Sequence, residues 1–256
     1  MAWGSRETGT IASGLLAVVL VGGLALSANA EEKKLSLSGT AALTTDYVFR
    51  GISQTAENPA VQASLDGSYG IFYFGAWGSN LDFGGAGFGG DITNIEIDYY
   101  AGITPTWQGI SFDIGGIYYT YPGAFDPGAE LDYFELKTGA SYTFAEKFTV
   151  GVTNYWSPEN TGETGNNDVL ELSGEYAFGG KLFNFFSPSM SGLVGWQWGE
   201  ASKGGFDYTY WNVGLSLGFM NNWTVDVRYW DTDLSGFACG GPFCDERVVG
   251  TLSASF

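Results

Sequence analysis

The residues of this chain that could do chemistry are acids and bases set at every second position of apolar stretches. Glu96 and Asp98 alternate with Ile95, Ile97 and Tyr99; Asp113 lies between Phe112 and Ile114; Glu135 and Lys137 alternate with Phe134, Leu136 and Thr138. Glu171 and Glu175 alternate with Leu170, Leu172 and Tyr176, while Asp226 and Arg228 repeat the spacing nearer the C-terminus. Asp46 and Arg50 bracket Tyr47 and Phe49. A carboxylate pair such as Glu96 and Asp98 could in principle serve as general acid and base. The chain contains no histidine, however, so the usual base beside a nucleophile is missing, and acids two apart on a strand are common in any wet interior. The chemistry these residues favour is electrostatic. Charges at period two on apolar strands face water or each other, giving an acidic lumen that attracts small cations and admits neutral polar solutes. The alternative is a plugged interior in which Lys137 and Arg228 are tied into carboxylate networks.

Other candidates are weaker. Arg50 either lines the pore mouth, or pairs with Asp46 to hold the first loop inward, or caps an aromatic belt as a solvated charge. The glycine run GGAGFGG at 84–90 lacks the lysine and following helix of a phosphate cradle, and reads as an exposed loop. Asp231, Asp233, Asp245 and Glu246 do not follow the spacing of a calcium loop and read as solvated charge at a rim. Cys239 and Cys244 are the only cysteines; in an exported chain they are expected to form a disulfide, whereas two cysteines without histidine leave a zinc site incomplete. No metal or other cofactor is implied.

The elements that carry these residues are strands. From Leu35 to Thr44 the side chains alternate, with Leu35, Leu37, Gly39, Ala41 and Leu43 on one face, and ten tilted residues at ~3.3 Å each cross a hydrocarbon layer. The same alternation predicts strands over 60–69, 71–82, 92–103, 110–121, 133–144, 148–157, 169–178, 190–200, 208–219, 223–234 and 247–256. Their connections alternate long and short, as when one rim of a barrel carries loops and the other turns. The expected fold is all-β: a transmembrane antiparallel β-barrel of about twelve strands whose even count lets first and last strands close the edge, with Trp and Tyr girdles at both ends. Tyr47 and Phe49 are read as part of such a girdle. The final strand ends on Phe256, the kind of terminal aromatic that serves as an assembly signal for outer-membrane proteins. The connection 179–189, with Phe183, Phe185 and Phe186, either anchors at the membrane surface or folds up as a partial plug. A secreted β-sandwich would alternate similarly, but would not need the long–short rhythm.

Residues 1–30 read as a signal peptide: an apolar run from Ile11 to Leu26 follows Arg6 and precedes Ala28-Asn29-Ala30, leaving 31–256 as one barrel domain. Aromatics at 17% and charged residues at 15% suit strands with one lipid face. A formal charge of −18 argues against nucleic acid as a partner.

Specific residues then carry a resemblance. DYVFRGISQT at 46–55, AWGSN at 76–80 with Asp82 and Phe83, YYTYPG at 118–123 and NYWSP at 154–158 resemble segments of the TorF-type porins of the proteobacterial outer membrane. The resemblance covers most of the mature chain and is most specific over Asp46 to Phe83. It implies a bacterial outer-membrane location, with membrane lipid and the barrel-assembly machinery as partners. The expected function is passive passage of small hydrophilic solutes, cations preferred; the rival is a non-conducting structural or surface-display barrel.

Overall fold

The structure, a computed structural model, describes residues 34–85, 90–124, 130–236, 239 and 241–256. The expected signal peptide, most of the glycine run at 84–90 and the centre of the loop at 122–130 lie outside these residues.

The described residues are strands joined by turns. The chain opens with β1 (Ser36–Thr44), a short hairpin of β2 (Val48–Phe49) and β3 (Ile52–Ser53), then β4 (Ala60–Tyr69), β5 (Phe72–Gly85) and β6 (Gly90–Ile103). A short β7 (Thr106–Trp107) precedes β8 (Ile110–Thr120), β9 (Tyr133–Phe144), β10 (Phe148–Ser157) and β11 (Asn167–Ala177). The chain ends with β12 (Ser187–Gly199), β13 (Tyr208–Phe219), β14 (Trp223–Thr232) and β15 (Arg247–Ser255). All but β2, β3 and β7 form one antiparallel barrel of twelve strands, closed where β1 pairs with β15 and where β6 pairs with β8 across β7. At the seam, Gly39 N–H donates to the Phe256 carbonyl at 2.8 Å and Phe256 N–H to the Gly39 carbonyl at 3.0 Å. Closure of this kind leaves no edge strand.

Period two sorts the side chains. Leu37, Leu65 and Val248 point outward and are 71%, 69% and 66% exposed, which for large apolar residues on a continuous band means a lipid-facing surface. The alternate positions point inward, and across the middle of the wall they are buried, as Ser64 and Val249 are. Long connections lie at one rim (45–59, 121–132, 158–166, 200–207 and 233–246) and short ones at the other, as the alternation predicts. We refer to these as the loop rim and the turn rim. The connection after β11 belongs to the turn rim and does not enter the lumen. Its Phe183 is 84% exposed, and Phe185 and Phe186 pack on the outward-facing Phe219, which stacks near Trp223. Of the two sequence readings, the anchor fits and the plug does not.

The aromatic girdles need a correction. Trp107, Trp156, Trp198 and Trp223 do lie exposed on the outer wall. Tyr47, Trp77, Tyr119, Tyr121, Tyr133, Tyr155, Tyr208, Tyr210 and Trp230, in contrast, are at most 7% exposed and turn into the barrel. For those on barrel strands the reason is parity: each lies an even number of residues from an inward polar group on its own strand, as Tyr133 does from Glu135, whereas Tyr47 and Tyr121 lie in the connections just beyond β1 and β8.

Candidate functional site

A barrel of twelve strands is wider than the eight whose side chains alone fill the interior. Here the extra space in the loop-side half is taken by the first loop. The chain leaves β1 and folds inward as the β2–β3 hairpin, whose two-residue tip, Arg50 and Gly51, has φ of 49° and 83°. Positive φ at both positions is the twist-matched turn of short hairpins. For Arg50 this conformation costs on the order of 1 kcal/mol, so its side chain contacts must hold it. Gly51 is required for a second reason: a Cβ there would run into Thr232 Cγ2 and lie 3.0 Å from Tyr210 Cβ.

The hairpin base is organised by Asp46. Ser53 and Thr55 hydroxyls donate to its Oδ1 at 2.7 and 2.8 Å, and Arg247 Nη1 donates to Oδ2 at 3.0 Å. Tyr47 crosses to β6, its hydroxyl donating to Glu96 Oε2 at 2.7 Å, while Tyr121 donates to Oε1 of the same carboxylate at 3.2 Å. Arg50 crosses to β9, where Nη1 and Nη2 donate in parallel to Glu135 Oε1 and Oε2, both at 2.8 Å. Its guanidinium lies 4.6 Å from the Phe49 ring centre and 5.0 Å from that of Tyr155. The pairing with Asp46 and the solvated cap do not match this. Arg50 does hold the loop inward, but through Glu135 rather than Asp46, and at 6% exposure it is no solvated cap. The hairpin thus bonds to β6, β9 and β15 and packs on β13 and β14. Two-pronged bonding and packing are what make such buried ion pairs tolerable, since each charge has lost its water.

The turn-side half is lined by hydroxyls, carboxylates and two cations. Lys137 Nζ donates to Asp113 Oδ2 at 2.6 Å and the Tyr73 hydroxyl to Oδ1 at 2.8 Å. Arg228 bonds Asp226, Asn212 at 2.6 Å and Ser191 at 2.9 Å; Ser216 donates to Asp226 at 2.6 Å. Asp66 accepts from Ser64 at 2.7 Å and from Tyr100. Glu175 is half-buried, and Ser173 beside it is exposed. Between Asp46, Asp226, Arg228 and Trp230 lies a cavity of about 30 Å³, room for about one water.

All eleven charged residues singled out from the sequence therefore face inward: Asp46, Arg50, Glu96, Asp98, Asp113, Glu135, Lys137, Glu171, Glu175, Asp226 and Arg228. Arg247, not foreseen as a lumen residue, joins them; the even spacing from Val249 places it on the inward face. With Asp66, nine inward carboxylates among the described residues thus meet four cations. Glu171 accepts from the Tyr210 hydroxyl at 2.6 Å, whereas Asp98 Oδ1 is buried with no hydrogen-bond partner. Among the described residues no cluster of three or more acids, cysteines or histidines could hold a metal ion. Asp231 and Asp233 instead cap backbone N–H groups of Thr232 and Thr209, at 2.9 and 2.8 Å. Cys239 and Cys244 are bonded to each other.

Three comparisons place the barrel among known proteins. A model of the family described as "Bacterial protein of unknown function (Gcw_chp)" matches residues 28–256. No characterised protein sequence matches. Among solved structures, the chain is similar to the KdgM porin, with a TM-score of 0.55, 8% identity, and 86% of this chain and 98% of that one covered. It is similar to a KdgM porin in complex with disordered oligogalacturonate, with a TM-score of 0.54, 7% identity, and 86% and 97% covered. The NanC porin gives a TM-score of 0.50 at 10% identity, with 86% and 99% covered. These likenesses show the porin barrel fold.

Proposed function

We propose that this chain, which belongs to the Gcw_chp family of bacterial proteins, is an outer-membrane porin that passes small hydrophilic solutes, cations in preference, through an acidic lumen constricted by its first loop. The observation that carries this reading is the lumen's charge: among the described residues, nine inward carboxylates against four cations, on a barrel whose outer wall is apolar. The resemblance of residues 46–83 to TorF-type porins and the likeness to the KdgM and NanC barrels point the same way. Oligogalacturonate, the ligand solved with KdgM, is a polyanion; the sign of the charge here suits the opposite class of solute. Selection works by size at the β2–β3 hairpin and by the field of the fixed carboxylates, which raises the local concentration of cations and repels anions. Neither step needs a cofactor or a catalytic group.

A second reading is favoured by one observation: the hairpin and its tyrosines fill the loop-side half, so the barrel could be a sealed structural element. Reversal potential across a planar bilayer in a potassium chloride gradient separates the two. A porin with this lumen gives a cation-selective potential that shrinks when Asp113 and Glu175 are changed to Asn and Gln. A folded barrel that carries no current leaves the sealed reading.

A further inference from the structure

The pocket that receives Arg50 belongs to the barrel wall, not to the hairpin. Glu135 on β9 is fully buried, and its carboxylate is held in place by the Tyr119 hydroxyl, which donates to Oε2 at 3.0 Å. Tyr119 and Tyr133 stack with centroids 4.3 Å apart and planes 6° from parallel, which fixes the donor. Tyr155 on β10 supplies an aromatic face on the other side. A carboxylate fixed to accept two parallel N–H bonds beside a tyrosine face selects a planar guanidinium. An ammonium offers a point charge without the fork, and a metal ion keeps its own water.

The occupant is borne by a shorter element than the pocket. Arg50 reaches it from a hairpin tip in a left-handed conformation, and β2 and β3 share only two residue pairs. One strand from Tyr119, Asp98 faces the same space with an oxygen that has no partner, although it is 4% exposed. The indole N–H of its register neighbour Trp77 is likewise unpartnered. Asp98 Oδ1 is therefore acceptor capacity for a cationic donor that Arg50 does not use, whereas the Trp77 indole is a donor and adds none.

We propose that the pocket of Glu135, Tyr119 and Tyr155 is a guanidinium-binding site of the pore, in which Arg50 is a resident and displaceable occupant. A solute bearing a guanidinium group exchanges with Arg50 on Glu135, so no buried carboxylate is left unpaired, and the freed hairpin opens the lumen. Other cations break the Arg50 bond without replacing its geometry, and gate the barrel poorly. This inference rests on the porin reading and names its substrate class.

The test uses ethylguanidinium chloride, with ethylammonium chloride of similar size as control. In planar bilayers, ethylguanidinium is expected to lengthen openings of the wild-type barrel and ethylammonium to have little effect. Arg50→Ala is expected to stay open and to be blocked transiently by ethylguanidinium. Tyrosine and tryptophan fluorescence of Arg50→Ala in detergent micelles reads the site without conduction. Saturable binding about tenfold tighter for ethylguanidinium than for ethylammonium is expected, with the difference gone when Glu135→Gln is added. Equal binding of both cations to Arg50→Ala overturns the site. A clear preference in micelles with no current from any folded variant overturns the porin reading and leaves the site standing.

Discussion

Asp46 and Arg247 are 201 residues apart in sequence and 3.0 Å apart in space. This pair ties the base of the first loop to the start of the last strand, and its side chains are only 7% and 8% exposed. The same guanidinium donates to the Pro242 carbonyl at 2.7 Å and to the Asp245 carbonyl at 3.0 Å. One arginine therefore holds both the hairpin inside the barrel and the disulfide loop above it.

Changing Arg247 to Ala strands the Asp46 carboxylate in a buried setting, a change that typically costs about 3–5 kcal/mol. The barrel wall does not depend on the pair, so the loss falls on the loop. We expect a folded, heat-resistant barrel whose residues 45–59 become sensitive to protease, with more frequent channel openings.

Gly51→Val tests the packing of the hairpin tip. The added carbons meet Thr232 and Tyr210, and overpacking of this kind typically costs about 1–3 kcal/mol before the positive φ is counted. The expected result is hairpin release with the barrel intact, seen as higher conductance than wild type. Gly123→Val, at a position where no heavy atom of the described residues lies within 4 Å of the Cβ direction, controls for the substitution at positive φ and should leave conductance alone.

Cys244 is fully buried and its carbonyl accepts from the Thr232 hydroxyl at 2.9 Å, on the strand that receives Gly51. The bond to Cys239 closes a small loop, and by loop entropy is worth about 2 kcal/mol to that segment. Reduction, or Cys239→Ser with Cys244→Ser, is expected to raise amide exchange over 233–246 and over the hairpin. Exchange in β9 and β10 should not change.

The ring of Phe256 lies against Gly39, and its main chain completes the seam with two hydrogen bonds. Deleting Phe256 is expected to lower the yield of heat-modifiable barrel in cells several-fold, through slower assembly, while barrel refolded in detergent keeps its strands by circular dichroism.

The wall of this barrel could be read from the sequence because period two is a local signal: Leu37, Leu65 and Glu96 each declare their face through their immediate neighbours. The same rule, applied to Tyr119, Tyr133, Tyr155 and Tyr210, puts these aromatics inside, where a girdle expected from residue type alone does not. The first loop was not legible in this way. Arg50 and Glu135 meet across the barrel, between segments with no register relationship, and no local pattern encodes a side chain's partner on the opposite wall. The left-handed tip at Arg50 and Gly51 was a usable hint, since Arg-Gly between Tyr47-Val48-Phe49 and Ile52 is a short-hairpin arrangement.

The most direct test of the account compares single-channel currents of the wild-type barrel with those of a variant in which Val48–Ser53 is replaced by two glycines. The account predicts brief or small cation-selective openings for the wild type and steady, larger openings of the same selectivity for the variant. A variant that folds and remains silent would contradict it, because the hairpin would then not be what closes the lumen.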